Sequence, residues 1–196
     1  MIAMRNFFSA ILLALTLTVW GQYIPNHQVD DHSDFYLDLS SGIDNHSGLL
    51  GIGFQLPLSS QVGMRAGFGF GSWGGKLSIG MKYQRYQKKG WGYGLGYSHC
   101  PGIEDIHLEF TDQNGNVNEA HLEYLQVGTL NFTINRNWTI KDHLMFFIES
   151  GYAVPIGGEE FYRVKGSYQP NASEKALLQV LRPGGLIFAV GLLVGL

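Results

Sequence analysis

The sequence predicts an all-β fold, an eight-stranded antiparallel up-and-down transmembrane β-barrel, and three observations carry that expectation. Glycine makes up 27 of 196 residues, about 14% and roughly twice the ~7% of an average chain. Charged residues are only 15%, against the usual ~25%. After residue 34 the hydropathy period is two, with bulky apolar groups on one face and small residues on the other. A chain with 45% hydrophobic and 13% aromatic residues is not disordered, and its glycines lack the three-residue period of collagen. The net charge of −3 argues against a nucleic-acid partner, which wants a basic patch.

The first residues are set apart from the fold. Arg5 supplies a positive start and residues 7–20 form an apolar run, with Val19 and Gly21 placed for a cut before Gln22. This is the pattern of a cleaved export signal over residues 1–21, and the run is too short for a spanning helix. Residues 22–33 read as a polar lead-in, and residues 34–196 as the barrel. Cys100 is the only cysteine, so no internal disulfide can hold the exported chain together. It reads as an inert thiol near a strand end.

The strands follow in order. Leu37 and Leu39 alternate with Tyr36, Asp38 and Ser40, and Ile52, Phe54 and Leu56 with Gly51, Gly53 and Gln55. Met64, Ala66 and Phe68 alternate with Gly63, Arg65 and Gly67, and Leu77, Ile79 and Met81 with Ser78, Gly80 and Lys82. The run 91–98 alternates aromatic residues and leucine with glycine. The segment 122–134 carries mixed faces, whereas 144–154 alternates again, with Glu149 on the minor face. The last strand sets Leu186, Phe188, Val190, Leu192, Val194 and Leu196 on one side. As a helix these final thirteen uncharged residues would reach only about 20 Å, short of a ~30 Å hydrocarbon core.

Which face is enclosed decides the reading. A soluble sandwich would cover its solvent face with Lys, Glu and Thr, yet here that face is glycine with an occasional charge. Small residues with a few opposite charges describe the interior of a narrow barrel, and the Leu, Phe and Val band then meets lipid. A ~10-residue strand tilted ~45° rises about 23 Å, close to the ~25 Å apolar band of such barrels. Short connections are expected at 57–61, 87–90 and 135–142, alternating with connections at 42–47, 71–75, 100–120 and 155–182, of which the last two are much longer. Trp73, Trp91 and Trp138 fall near strand ends, where amphipathic rings belong at a membrane interface.

Three segments now resemble a family: WGYGLGY at 91–97, the pair HLEYLQVGTLNFTI at 121–134 with IESGYAVPIGG at 148–158, and the closing LRPGGLIFAVGLLVGL at 181–196. Across the presumed mature chain they are similar to the small outer-membrane β-barrels of the Bacteroidota, related in architecture to the OmpA-type transmembrane domain. The resemblance implies the bacterial outer membrane as location and outer-membrane lipid and lipopolysaccharide as surroundings. It also implies that the terminal strand is read by the barrel-assembly machinery, although this chain ends in Leu196 where an aromatic is usual. It implies no reaction and no cofactor. No wall-binding domain is expected, since the chain closes on its last strand.

Four charges on different strands, Asp38, Arg65, Lys82 and Glu149, are placed near mid-height. They cannot remain unpaired there and are expected to form a lumenal salt-bridge network that plugs the barrel. A narrow channel through the same charges is the alternative. Asn114-Gly115 marks a hairpin turn in the loop 100–120. Asp112, Asn114 and Asn116 only partly match a calcium loop, because Val117 stands where glycine is required. Ser173 is expected to cap a helix over 174–182, with Leu177, Leu178, Val180 and Leu181 on its apolar face.

The seven histidines (His27, His32, His46, His99, His107, His121 and His143) show no zinc-like spacing, so no metal site is expected. The cluster of His27, Asp30, Asp31, His32 and Asp34 reads as a solvated tether. Ser98-His99, and His121 with Glu119 or Glu123, are the only groups that fit a hydrolytic set, and no motif surrounds them. The expected role is therefore non-enzymatic, structural or in surface interaction. The rivals are long loops that bind a partner, a narrow channel, and a lipid-modifying enzyme.

Overall fold

The computed structural model describes residues 33–86, 88–111, 117–157, 160–165 and 170–196, with the side chains of 108–111 and 117–120 outside that description. The expected export signal, nearly all of the expected lead-in, and the turn expected at Asn114-Gly115 with its calcium-like residues lie outside the described residues.

Eight strands close on themselves: β1 (Tyr36–Ile43), β2 (Leu50–Pro57), β3 (Val62–Gly71), β4 (Gly74–Tyr83), β5 (Gly90–Cys100), β8 (Val127–Lys141), β9 (Leu144–Ile156) and β11 (Gly185–Gly195). Every neighbour is antiparallel, and β1 meets β11 through eight registered pairs from Tyr36 with Gly195 to Ile43 with Phe188. Closure leaves no strand edge in the barrel without a partner. A second, three-stranded sheet is formed by β6 (Ile103–Thr111), β7 (Val117–Tyr124) and β10 (Tyr162–Lys165), in the order β10-β7-β6. The helix α1 (Ala172–Leu181) leads into β11.

Two expected boundaries change. The ambiguous segment 122–134 is two strands rather than one: β7 ends at Tyr124, and β8 begins at Val127 in the barrel. Leu122 and Tyr124 are buried in the small sheet, whereas from Val127 onward it is the odd-numbered residues that are buried inside the barrel. A single period drawn across that break mixes two environments. The connection expected at 135–142 is likewise mostly strand. Asn135 and Asn137 point inward, and β8 runs on to Lys141, which pairs with Leu144. Only Asp142 and His143 are left to turn the chain.

The helix also starts earlier than expected. Asn171, not Ser173, is the N-cap. Its side-chain oxygen accepts the Glu174 N–H at 3.0 Å, while Glu174 accepts the Asn171 N–H at 2.8 Å. This reciprocal pair satisfies two N–H groups that a helix start leaves open. On the expected apolar face Leu178 is buried and Leu181 half-buried, whereas Leu177 and Val180 remain exposed.

The faces sort as the period-two pattern predicts. Bulky apolar side chains point out from all eight barrel strands, among them Phe54, Phe68, Ile79, Leu95, Phe132 and Phe188, each at least two-fifths exposed. The inner faces carry glycine and polar groups, with Met145, Phe147, Ile187 and Leu193 among them. Inner glycines leave room for larger neighbours. A Cβ on Gly94 would run into the Thr133 hydroxyl and come within 3.1 Å of the Arg65 guanidinium, and one on Gly191 would lie 2.6 Å from the Phe147 ring.

Candidate functional site

The barrel interior is filled by side chains, and its centre is an ion cluster. Glu149 on β9 accepts from the Arg65 Nη1 of β3 at 2.9 Å to each carboxylate oxygen, and Lys82 Nζ of β4 lies 3.0 Å from its Oε2. Arg65 reaches Thr133 on β8 at 3.4 Å, and Lys82 sits 4.8 Å over the Phe147 ring. Asp38 stands beside this group, held by the Gln55 side-chain amide at 3.0 Å. All four charges are at most 3% exposed. With two charges of each sign, the set sums to zero.

The cluster lies toward the short-turn end rather than at mid-height. Lys82 is next to last in β4, and Asp38 is third in β1. Long side chains on staggered strands converge there although their backbones differ in height. Sequence reasoning missed the amide chain that extends from the cluster. Gln84 donates to Gln55 at 3.0 Å, and Gln84 in turn accepts from Asn135 at 3.2 Å and Asn137 at 3.0 Å. Asn131 donates to Ser98 at 2.6 Å and accepts from Thr129 at 2.8 Å. The signal that could have found it is the period-two run Thr129, Asn131, Thr133, Asn135, Asn137, which emerges only when β7 and β8 are separated.

Both mouths are covered. At the short-turn end Tyr36 stacks on Tyr86 with centroids 5.1 Å apart, in a cluster with Met145, Phe147 and Leu193. Burial pushes the Tyr86 phenol up to about 12. At the other end the loop 44–49 folds inward and buries Asn45, His46 and Ser47. Lys76 pins that loop through Asp44 at 2.5 Å, and Asp44 also accepts the Gly184 N–H at 2.8 Å. Ser78 donates to the His46 carbonyl at 2.6 Å.

Among the described residues, neither ring nitrogen of His46 has a hydrogen-bond partner. Burial first, and then the nearby Arg65 charge, hold its imidazole well below its ordinary value of 6.5. The unfolded chain therefore binds a proton that the folded one refuses, and stability falls as pH drops below 6.5. A loss of up to about 2 kcal/mol by pH 5 is expected from this group. Denaturant titrations of the parent chain and of His46→Gln at pH 8 and pH 5 check it: the variant should lose that much less on acidification.

The tryptophans divide. Trp91 is more than half exposed, with Arg136 5.1 Å over its ring, and Trp138 is exposed beside Phe146. Trp73 is not at an outer surface and corrects the expectation. It is 1% exposed, stacks on Tyr124 at 3.8 Å, and donates from Nε1 to the Leu125 carbonyl at 2.8 Å. With Cys100, Leu122, Val127 and Leu178 it forms a core over the long-loop end, sealed by Phe161, Tyr162 and Val164. Proximity to a strand end suggests an interface for Trp73, but the small sheet and α1 supply a dry surface that takes the ring instead. On the terminal strand Leu186, Phe188, Val190, Leu192 and Leu196 are exposed and Val194 is half-buried.

Of the hydrolytic candidates, Ser98 and His99 do not come together. Ser98 faces the barrel interior, and its strand neighbour His99 points the other way. His121 lies beside Asp105 and His107, a grouping the sequence spacing does not suggest. Glu119 is outside the described side chains.

The fold is a filled, closed, eight-stranded up-and-down barrel with a small capping sheet, consistent with an OmpA-like architecture. Neither a family model nor a curated protein matches the chain.

Proposed function

We propose that this chain is an integral outer-membrane β-barrel protein, exported by its N-terminal signal. It holds a plugged barrel in the lipid and presents its small sheet and helix on the outside. The observation that carries the reading is the inverted distribution of polarity. Charges and amides are buried in the centre, while Leu, Ile, Phe and Tyr encircle the outside, with Trp91 and Trp138 near the short-turn ends. Soluble monomers rarely expose an apolar surface that continuous, and in hydrocarbon a closed barrel is the one sheet with no unpaired edge. Long connections gather at one end and short turns at the other, as in outer-membrane barrels with short periplasmic turns.

The role we infer is structural or in surface interaction, without catalysis. Solvent-excluded charges of balanced sign, and the separation of Ser98 from His99, support a plug over a channel or a hydrolase. Fractionation tests the location. The chain should sediment with outer membranes, resist carbonate extraction, and change mobility on a gel when heated. Release into the soluble fraction as a monodisperse species would end the reading. In planar bilayers, no conductance step is expected from the parent chain.

A further inference from the structure

The outward side of the small sheet carries a constellation that the barrel reading does not use. Ile106, Leu122 and Tyr124 turn one side of this sheet onto Trp73 and Leu178, so the intervening residues face away. On that side the register sets His107 directly across from His121, with ring centroids 4.2 Å apart, edge to face. The strand pairing shifts between Ile103 and Ile106. Asp105, two residues before His107 and so on the same face of β6, has its carboxyl beside both rings. Its oxygens lie 3.6 Å from His107 Nε2 and 3.8 Å from His121 Nδ1.

We propose that Asp105, His107 and His121 bind a divalent transition-metal ion of the zinc type. Two imidazole nitrogens and one carboxylate oxygen form a donor set that zinc accepts, leaving a fourth position open to water or to a ligand from a partner. Calcium and magnesium prefer all-oxygen sets. The three donor atoms already lie within 4.8 Å of one another. Around a tetrahedral ion with bonds of ~2.0–2.1 Å they must stand about 3.3 Å apart; His107 Nε2 lies 3.6 Å from Asp105 Oδ2 and His121 Nδ1 3.8 Å from Oδ1, so the carboxylate must turn to bring one oxygen to both rings. All three side chains are substantially exposed, so small torsional changes can close the set without disturbing the sheet. Lys165 stands in register with His121, and its amine is held on the Glu104 carbonyl at 2.6 Å. Arg163 is in register with Glu123, which offsets its charge.

The site stands on the small sheet and does not depend on the barrel spanning a membrane. Zinc alone is the probe, titrated calorimetrically into untagged full-length chain folded in detergent. The expected result is saturable uptake of one ion that is lost in the double variant H107A/H121A. Each single histidine variant should weaken binding by about tenfold or more, and Asp105→Asn should weaken it too. Far-UV circular dichroism should be unchanged, since the three groups are exposed. Absence of saturable uptake by the parent chain, or uptake undiminished in the double variant, overturns the proposal.

Discussion

Replacing Glu149 by Gln is expected to destabilise the folded barrel by ~3–5 kcal/mol. Glutamine keeps the volume and shape of the side chain, so the loss is electrostatic. The carboxylate faces two cations, Arg65 at 2.9 Å and Lys82 at 3.0 Å, at a position 1% exposed. Neutralising it strands two buried positive charges with only Asp38 nearby. Water cannot compensate them, and desolvating an unpaired ion costs several kcal/mol. Equilibrium unfolding in denaturant, with the chain folded into detergent or vesicles, measures the effect. The double variant Glu149→Gln with Lys82→Met should recover part of the loss, because it removes one of the stranded charges. Strict additivity of the two single changes would show that the groups do not act as one network.

Val190→Arg is expected to cost ~2–4 kcal/mol when the barrel is folded into a phospholipid bilayer. The position is informative because Val190 sits midway along β11 and points outward, 37% exposed. In water an arginine there would reach solvent and change stability by no more than about 0.5 kcal/mol. Only hydrocarbon around the belt makes the substitution expensive. Gln179→Arg, on the exposed side of α1, is the matched control and should be near neutral. Urea unfolding from vesicles of uniform lipid gives both values. Equal tolerance of the two substitutions would contradict the membrane placement.

The prediction for Glu149 rests on residues that stand out in the chain itself, since Asp38, Arg65, Lys82 and Glu149 each place a charge on the inner face of a strand. Their grouping is legible there because a charge on the minor face of a strand has few places to go once that face is enclosed. Their partners are less so. Gln55 and Gln84 join the network through amides, which carry no charge and so leave no mark in a count of titratable groups. Asn135 and Asn137 are hidden by a strand boundary, because the break of two residues between β7 and β8 has no glycine or proline to announce it.

What the sequence determined by itself was the barrel. A period of two puts alternate side chains on opposite faces, and the size difference between those faces identifies the narrow, enclosed one. These are local properties of the chain. The tertiary structure alone decided everything that depends on segments distant in sequence. Trp73 became the core of a cap because Tyr124 and Leu178 fold over it. The loop 44–49 became a lid because Lys76, 32 residues away from Asp44, holds it down. Asp105, His107 and His121 met because the hairpin register set His107 across from His121, on the face Asp105 shares. Spacing along a chain cannot report such meetings, since cross-strand distance is set by register and twist rather than by the number of residues between.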